Sequence, residues 1–78
     1  MREFQIMLRS LSDVREFVSI STVQPFGVFI TAPHQKVNAK SFIGMFAVDY
    51  SQPVTVSMEC DESQFESFRQ AAARFLAV

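Results

Sequence analysis

The sequence predicts a small α+β domain in which a four-stranded antiparallel sheet carries three helices on one face. Segments with alternating apolar residues, typical of strands, are interleaved with segments whose apolar residues recur every three or four positions, typical of helices. Each amphipathic helical segment brings one apolar stripe, so the helices should share one face of the sheet. The residues between the apolar ones in the strands are mostly polar, so we expect the other face to be open.

Composition indicates one domain over residues 1–78. With 49% apolar residues and nine phenylalanines, the chain has enough apolar side chains for a core without metal or disulfide. The net charge of -1 and the scattered basic residues argue against nucleic-acid binding. The longest apolar runs, near 26–32 and 42–48, are too short to span a membrane. The single cysteine, Cys60, cannot form an internal disulfide, and we expect a soluble cytoplasmic protein.

The elements follow in the order β-α-β-β-α-β-α. Residues 3–9 alternate as a half-buried strand, and residues 10–23 form a helix with Ser10 or Ser12 as its cap. One side of that helix is predicted to be buried, formed by Val14, Phe17, Val18 and Ser21.

Two further strands, 26–31 and 36–39, pair across a turn that contains Pro33 and His34. After a short helix, residues 53–60 form the strand with the clearest alternation.

The last helix is predicted over residues 61–76. Asp61 and Gln64 form a variant of the capping box at its start. Its core stripe comprises Phe65, Phe68, Ala72, Phe75 and Leu76.

The segment from Val37 to Asp49 is unusual because its short helix is apolar on almost every side. Ser41 stands at the N-cap position, where its side-chain oxygen accepts from a backbone N–H of the first turn. A small domain cannot bury such a helix completely. We therefore expect some, but not all, of its four large apolar residues to face solvent or a partner. These four are Phe42, Ile43, Met45 and Phe46.

Residues 36–48, KVNAKSFIGMFAV, together with the order of elements, resemble HPr, the phosphocarrier of the bacterial sugar phosphotransferase system. The resemblance covers most of the chain and implies an open-faced β-sandwich of the βαββαβα type. A ferredoxin-like structural or ligand-binding module is the alternative suggested by the first six elements. The short second helix and the long third helix favour the HPr-like fold.

The resemblance also implies a phosphorylatable histidine at the start of the first helix, followed by Arg-Pro. Here the segment from Leu8 to Arg15 contains neither histidine nor proline, and it is shorter than the family's loop. Asp13 and Glu16 add negative charge where a phosphate would lie. We therefore predict that histidine phosphocarrier activity is absent. The alternative is an atypical carrier that uses another residue, such as His34.

At Ser41 the resemblance implies a regulatory phosphorylation site, the substrate of an HPr kinase. It further implies that protein partners bind beside it, among them phosphotransferase-system components or a transcriptional regulator. The residues assigned to this binding are Lys40, Phe42, Ile43 and Phe46. The simpler alternatives are that Ser41 is only a cap, and that the apolar helix fills the core or forms a homodimer contact. No enzyme activity, cofactor or metal site is predicted.

Overall fold

The computed structural model describes residues 2–32 and 35–77. Its elements are β1 (Arg2–Ile6), α1 (Leu11–Thr22), β2 (Val28–Ala32), β3 (Gln35–Asn38), α2 (Phe42–Phe46), β4 (Val54–Met58), α3 (Glu62–Ala71) and a 3₁₀ turn (Ala73–Phe75). The α+β class and the βαββαβα order are confirmed. The predicted turn with Pro33 and His34 lies outside the described residues.

The four strands form one antiparallel sheet in the order β1-β4-β2-β3. β4 lies between β1 and β2, with Val56 opposite both Phe4 and Ile30. Val56 and Ile30 are fully buried on the face that the helices cover. This face joins the helices in one hydrophobic core, as the alternating strand pattern predicted.

Aromatic rings fill the centre of that core. The Phe68 ring of α3 lies 5.6 Å from Phe4, 6.0 Å from Phe17 and 6.0 Å from Phe26, measured between ring centroids. Phe75 meets Phe17 edge-on at 6.2 Å. Tilted and edge-on pairs suit the aromatic quadrupole, so the phenylalanines pack α1 and α3 together on the sheet.

The predicted buried side of α1 is confirmed, because Val14, Phe17, Val18 and Ser21 are all buried. The Ser21 hydroxyl donates to the Phe17 carbonyl at 2.9 Å, which satisfies the polar group inside the core.

The capping box of α3 is also confirmed. Asp61 accepts from the Gln64 N–H at 2.7 Å, and the Gln64 side chain accepts from the Asp61 N–H at 3.1 Å.

The end of the last helix was predicted wrongly. α3 stops at Ala71, not at residue 76, and the chain then forms the 3₁₀ turn. The C-terminal residues pair with β1 instead: the Met7 N–H donates to the Phe75 carbonyl at 2.7 Å, and the Ala77 N–H donates to the Gln5 carbonyl at 2.9 Å. These hydrogen bonds cover the outer edge of β1, which a continuing helix would leave unpaired.

The strands are also shorter or shifted relative to their predicted bounds. β1 ends at Ile6, opposite Val54, and the next residue, Met7, bonds through its N–H to the Phe75 carbonyl on the outer edge. β2 starts at Val28, and Phe26, which precedes the strand, packs its ring against Phe68.

The open face of the sheet is less exposed to solvent than predicted. Ser57 is only 2% exposed, and Phe29 is half-buried with the Lys36 ammonium 4.8 Å from its ring centroid. The Lys36 side chain therefore covers apolar surface on this face.

Candidate functional site

Helix α2 begins at a tight connection from β3. The Asn38 side chain accepts from the Lys40 N–H at 2.9 Å, and the Asn38 carbonyl accepts from the Ser41 N–H at 3.0 Å. Ser41 then has the extended backbone of an N-cap, and its Oγ accepts from the Gly44 N–H at 3.2 Å. The predicted cap is confirmed, and Ser41 is exposed to solvent.

Met45 fixes α2 to the core, because it is the buried residue of the helix. The Tyr50 hydroxyl donates to the Met45 carbonyl at 2.7 Å and lies 3.6 Å from its sulfur. Burial raises the pKa of Tyr50 to about 12, so the phenol remains a hydrogen-bond donor well above neutral pH. The α2 end is thus held by a side chain from the following loop.

Gly44 allows α2 to lie close against β3. A Cβ at this position would come within 2.9 Å of the Val37 Cγ1 and 3.3 Å of the Ser41 Oγ. A larger residue would therefore push against both the strand and the cap.

Three large apolar side chains of α2 face solvent. Phe42 is 40% exposed, Ile43 87% and Phe46 47%, and the Phe42 and Phe46 rings pack in a tilted arrangement with centroids 5.3 Å apart. We call these three residues the α2 surface. The prediction that part of this helix faces solvent is confirmed, while its role in partner binding stays a prediction.

Lys40 has a structural partner within the chain. Its Nζ donates to the Gln24 carbonyl at 2.8 Å, just beyond the end of α1, and the side chain is half-buried. This bond links the start of α2 to the end of α1. The predicted contact of Lys40 with other proteins remains a prediction.

The start of α1 holds an internal carboxylate. Ser10 caps the helix by accepting from the Asp13 N–H at 3.1 Å. Asp13 Oδ2 accepts from the Arg9 N–H at 3.0 Å, and Asp13 Oδ1 pairs with Arg74 at 2.8 Å. Arg74 also contacts Glu16 at 2.9 Å. The Arg9 N–H, more than the Arg74 guanidinium, holds the pKa of Asp13 below its ordinary value, against partial burial.

A cleft of about 490 Å³ opens between the β1–α1 connection and the end of α2. Its walls are formed by Met7, Leu8, Arg9, Ser10, Leu11, Val14, Phe46, Tyr50 and Ser51. Sequence reasoning missed this cleft. The available signal was Leu11, an apolar residue in the first turn of α1 that lies outside the buried set and is 63% exposed.

The remaining candidate residues contribute little to this site. Burial raises the pKa of the Cys60 thiol, which is not the environment of a reactive thiolate. His34 lies outside the described residues. Within 2–32 and 35–77, no group of three or more His, Cys, Asp or Glu side chains is placed to hold a metal ion.

No helix in the described part of the chain has the length and apolar character needed to cross a membrane.

Comparisons with known proteins agree with this architecture. No protein-family model and no curated protein matches the sequence. Among solved structures, HPr-C-His from Thermoanaerobacter tengcongensis matches with 25% identity and a TM-score of 0.75, over 95% of this chain and 89% of that one. The phosphocarrier protein HPr from Bacillus anthracis str. Ames matches with 22% identity and a TM-score of 0.70, over 97% and 94% of the two chains.

A third solved structure is Crh, the catabolite repression protein of Bacillus subtilis, seen as a domain-swapped dimer. It matches with 22% identity and a TM-score of 0.61, over 95% of this chain and 88% of that one. All three relatives match over nearly the whole of both chains. The second helix of this chain has five residues and carries exposed apolar side chains, which argues against the ferredoxin-like alternative.

Proposed function

Because the chain is an HPr-like protein in fold, we propose that it acts by binding other proteins through the α2 surface. Phosphorylation of Ser41 regulates this binding, and histidine phosphocarrier activity is absent. The observation that carries the proposal is the exposure of three large apolar side chains directly after an exposed serine hydroxyl. Neighbouring exposed apolar residues of this kind are typical of protein-binding sites.

The surroundings of Ser41 support a regulatory phosphate. No acidic residue lies in the first turn of α2, so a phosphoryl group there meets no carboxylate on that turn. The Lys40 ammonium, now bonded to the Gln24 carbonyl, is the nearest basic group in the chain sequence. Phosphorylation therefore places about two negative charges beside the apolar α2 surface and changes which partners fit it.

The start of α1 supports the absence of carrier activity. The positive end of a helix is the position where a bound phosphate is stabilised. Here the Asp13 carboxylate lies in the first turn of α1, where it accepts from the Arg9 N–H and is paired with Arg74. An incoming phosphoryl group meets like charge from Asp13 and finds no histidine among the neighbouring residues 8–16.

Phosphorylation by an HPr kinase with ATP tests the regulatory part of the proposal. We expect one acid-stable phosphoserine, located at Ser41 by peptide mass spectrometry. Ser41→Ala should abolish incorporation. Ser10→Ala is the matched control because Ser10 caps α1 with the same geometry, and it should leave incorporation intact. Incorporation that persists in Ser41→Ala would refute the assignment of Ser41.

The same reaction tests the α2 surface as a binding surface, with the kinase as the partner. Ile43→Glu should reduce the initial rate about tenfold or more, because it places a charge in the apolar contact. Val23→Glu is the control, since Val23 is a comparably exposed apolar residue on α1, at 76%. Equal rates for the two variants would contradict binding through the α2 surface.

A further inference from the structure

Lys40 connects the serine at the start of α2 to the end of α1. Its Nζ donates to the Gln24 carbonyl at 2.8 Å, and Ser41 is the next residue in the chain. We propose that phosphorylation of Ser41 draws the Lys40 ammonium from the Gln24 carbonyl to the phosphate, and that the last turn of α1 loosens as a result. This inference rests on the proposed function, because it states what the modification of Ser41 does to the rest of the chain.

The end of α1 consists of weak helix formers. Residues 19–23 read Ser-Ile-Ser-Thr-Val, and serines and β-branched residues form helices less readily than alanine, leucine or lysine. The Ser21 and Thr22 hydroxyls donate to backbone carbonyls one turn earlier, at 2.9 and 2.7 Å. Such back-bonding slightly destabilises a helix. The last turn of α1 therefore depends on interactions with the rest of the chain.

Lys40 supplies a positive charge that this helix end lacks. The last turn of α1 contains no basic residue, although a cation there offsets the negative end of the helix dipole. Lys40 brings its ammonium to that end from a position 16 residues beyond Gln24. Its side chain is half-buried, so solvent weakens this bond less than it weakens a fully exposed one. Removal of the ammonium should therefore loosen the end of α1.

A phosphate on Ser41 is the stronger partner for this ammonium. Neighbouring Cα atoms are about 3.8 Å apart, and the lysine stem is flexible, so the Lys40 ammonium can reach a phosphate on the next residue. The phosphate carries about two negative charges, whereas a carbonyl oxygen carries only a partial charge. No acidic residue in the first turn of α2 competes for Lys40. Electrostatic attraction therefore favours movement of the ammonium towards the phosphate.

The expected change at α1 is a loosening and not an unfolding. The Gln24 side-chain amide donates to the Ile20 carbonyl at 3.1 Å, and this bond does not involve Lys40. The buried side of the helix also stays in the core. Because Gln24 follows α1 and Ser41 begins α2, movement of one ammonium changes both helices. The end of α1 thus responds to a phosphate that it does not carry.

Amide hydrogen exchange measured by NMR tests the inference on a chain with phosphoserine incorporated at residue 41 during translation. This preparation needs no kinase, so failure of the inference is distinguishable from failure of the kinase reaction. We expect the exchange rates of the amides in residues 21–24 to rise about tenfold or more in the phosphorylated chain. The Phe17 amide, in the buried middle of α1, should keep its rate.

Lys40→Met removes the ammonium and keeps most of the side-chain length. Without phosphate, this variant should already show the faster exchange at residues 21–24. Phosphoserine at residue 41 should then add less than about twofold, because the two changes act on one bond. Lys36→Met is the matched control, since the Lys36 ammonium lies over the Phe29 ring on the open face of the sheet. It should keep the wild-type rates and the full response to phosphate.

Two results would overturn the inference. One is unchanged exchange at residues 21–24 in the phosphorylated wild-type chain. The other is a response to phosphate that keeps its full size in Lys40→Met, because another group would then carry the signal. Circular dichroism verifies the folding of each variant, and the neutral Lys40→Gln replaces Lys40→Met if that variant fails to fold. Either result leaves the phosphorylation of Ser41 and the α2 surface to be judged by the kinase experiments.

Discussion

Helices α1 and α2 begin with the same cap but differ in the residue three positions later. Ser10 and Ser41 both have extended backbones, and each side-chain oxygen accepts a backbone N–H, from Asp13 and Gly44 respectively. At α1 the third residue brings a carboxylate that is held by Arg74. At α2 the third residue is Gly44, which has no side chain. One capping mode thus produces one helix start that already holds an anion and another whose first turn carries no acidic residue.

The two helices also differ in how firmly they are fixed to the core. α1 buries four side chains, whereas α2 buries Met45. Met45→Ala should therefore detach α2 and lower the free energy of unfolding by about 3 kcal/mol, through lost burial and a cavity. Phe46→Ala, on the exposed side of the same helix, should cost less than about 1 kcal/mol. Urea unfolding measures both, and similar losses for the two variants would show that Met45 is not the anchor.

The shared cap predicts equal stabilities for two serine variants. Ser10→Ala and Ser41→Ala should each lower the free energy of unfolding by about 1 kcal/mol, because each leaves one backbone N–H of a first turn without its partner. Thermal or urea unfolding compares them directly. A lower free energy of unfolding for only one of the two variants would show that the two helix starts are not structurally equivalent.

The carboxylate at α1 predicts a difference in pH dependence. The folded pKa of Asp13 lies below 3.8, so its stabilising effect is present above that pH and is lost as the pH falls through the folded pKa. The urea midpoint of the wild-type chain should fall between about pH 5 and pH 3, and Asp13→Asn should show a smaller fall.

Arg74→Gln is the control for this pH effect. It keeps the Arg9 N–H bond to Asp13, the larger cause of the lowered pKa, so it should reduce the fall less than Asp13→Asn does. Identical pH profiles of the urea midpoint for the wild-type chain and Asp13→Asn would show that Asp13 does not cause the fall.

Features set by nearby residues were predictable from the sequence. The buried side of α1, the Ser41 cap and the capping box of Asp61 each depend on spacings of three or four residues. The HPr-like fold followed from the order of such elements together with residues 36–48.

Features set by distant residues were not predictable. The Arg74–Asp13 pair joins positions 61 residues apart, and the end of α3 depends on pairing between Phe75 and Met7. The cleft exists only because the loop after β1 and the end of α2 meet in space. No local pattern carries such information, because long-range contacts are decided by the packing of the whole core.

We propose that phosphoryl transfer is excluded from the start of α1 and occurs on Ser41 at the start of α2. The decisive experiment offers the chain two phosphoryl donors and follows its intact mass before and after mild acid. With an HPr kinase and ATP, we predict one acid-stable phosphoryl group on Ser41. With enzyme I and phosphoenolpyruvate, we predict none, while Bacillus anthracis HPr serves as the positive control. An acid-labile phosphoryl group from phosphoenolpyruvate, or no phosphorylation of Ser41 by the kinase, would contradict the account.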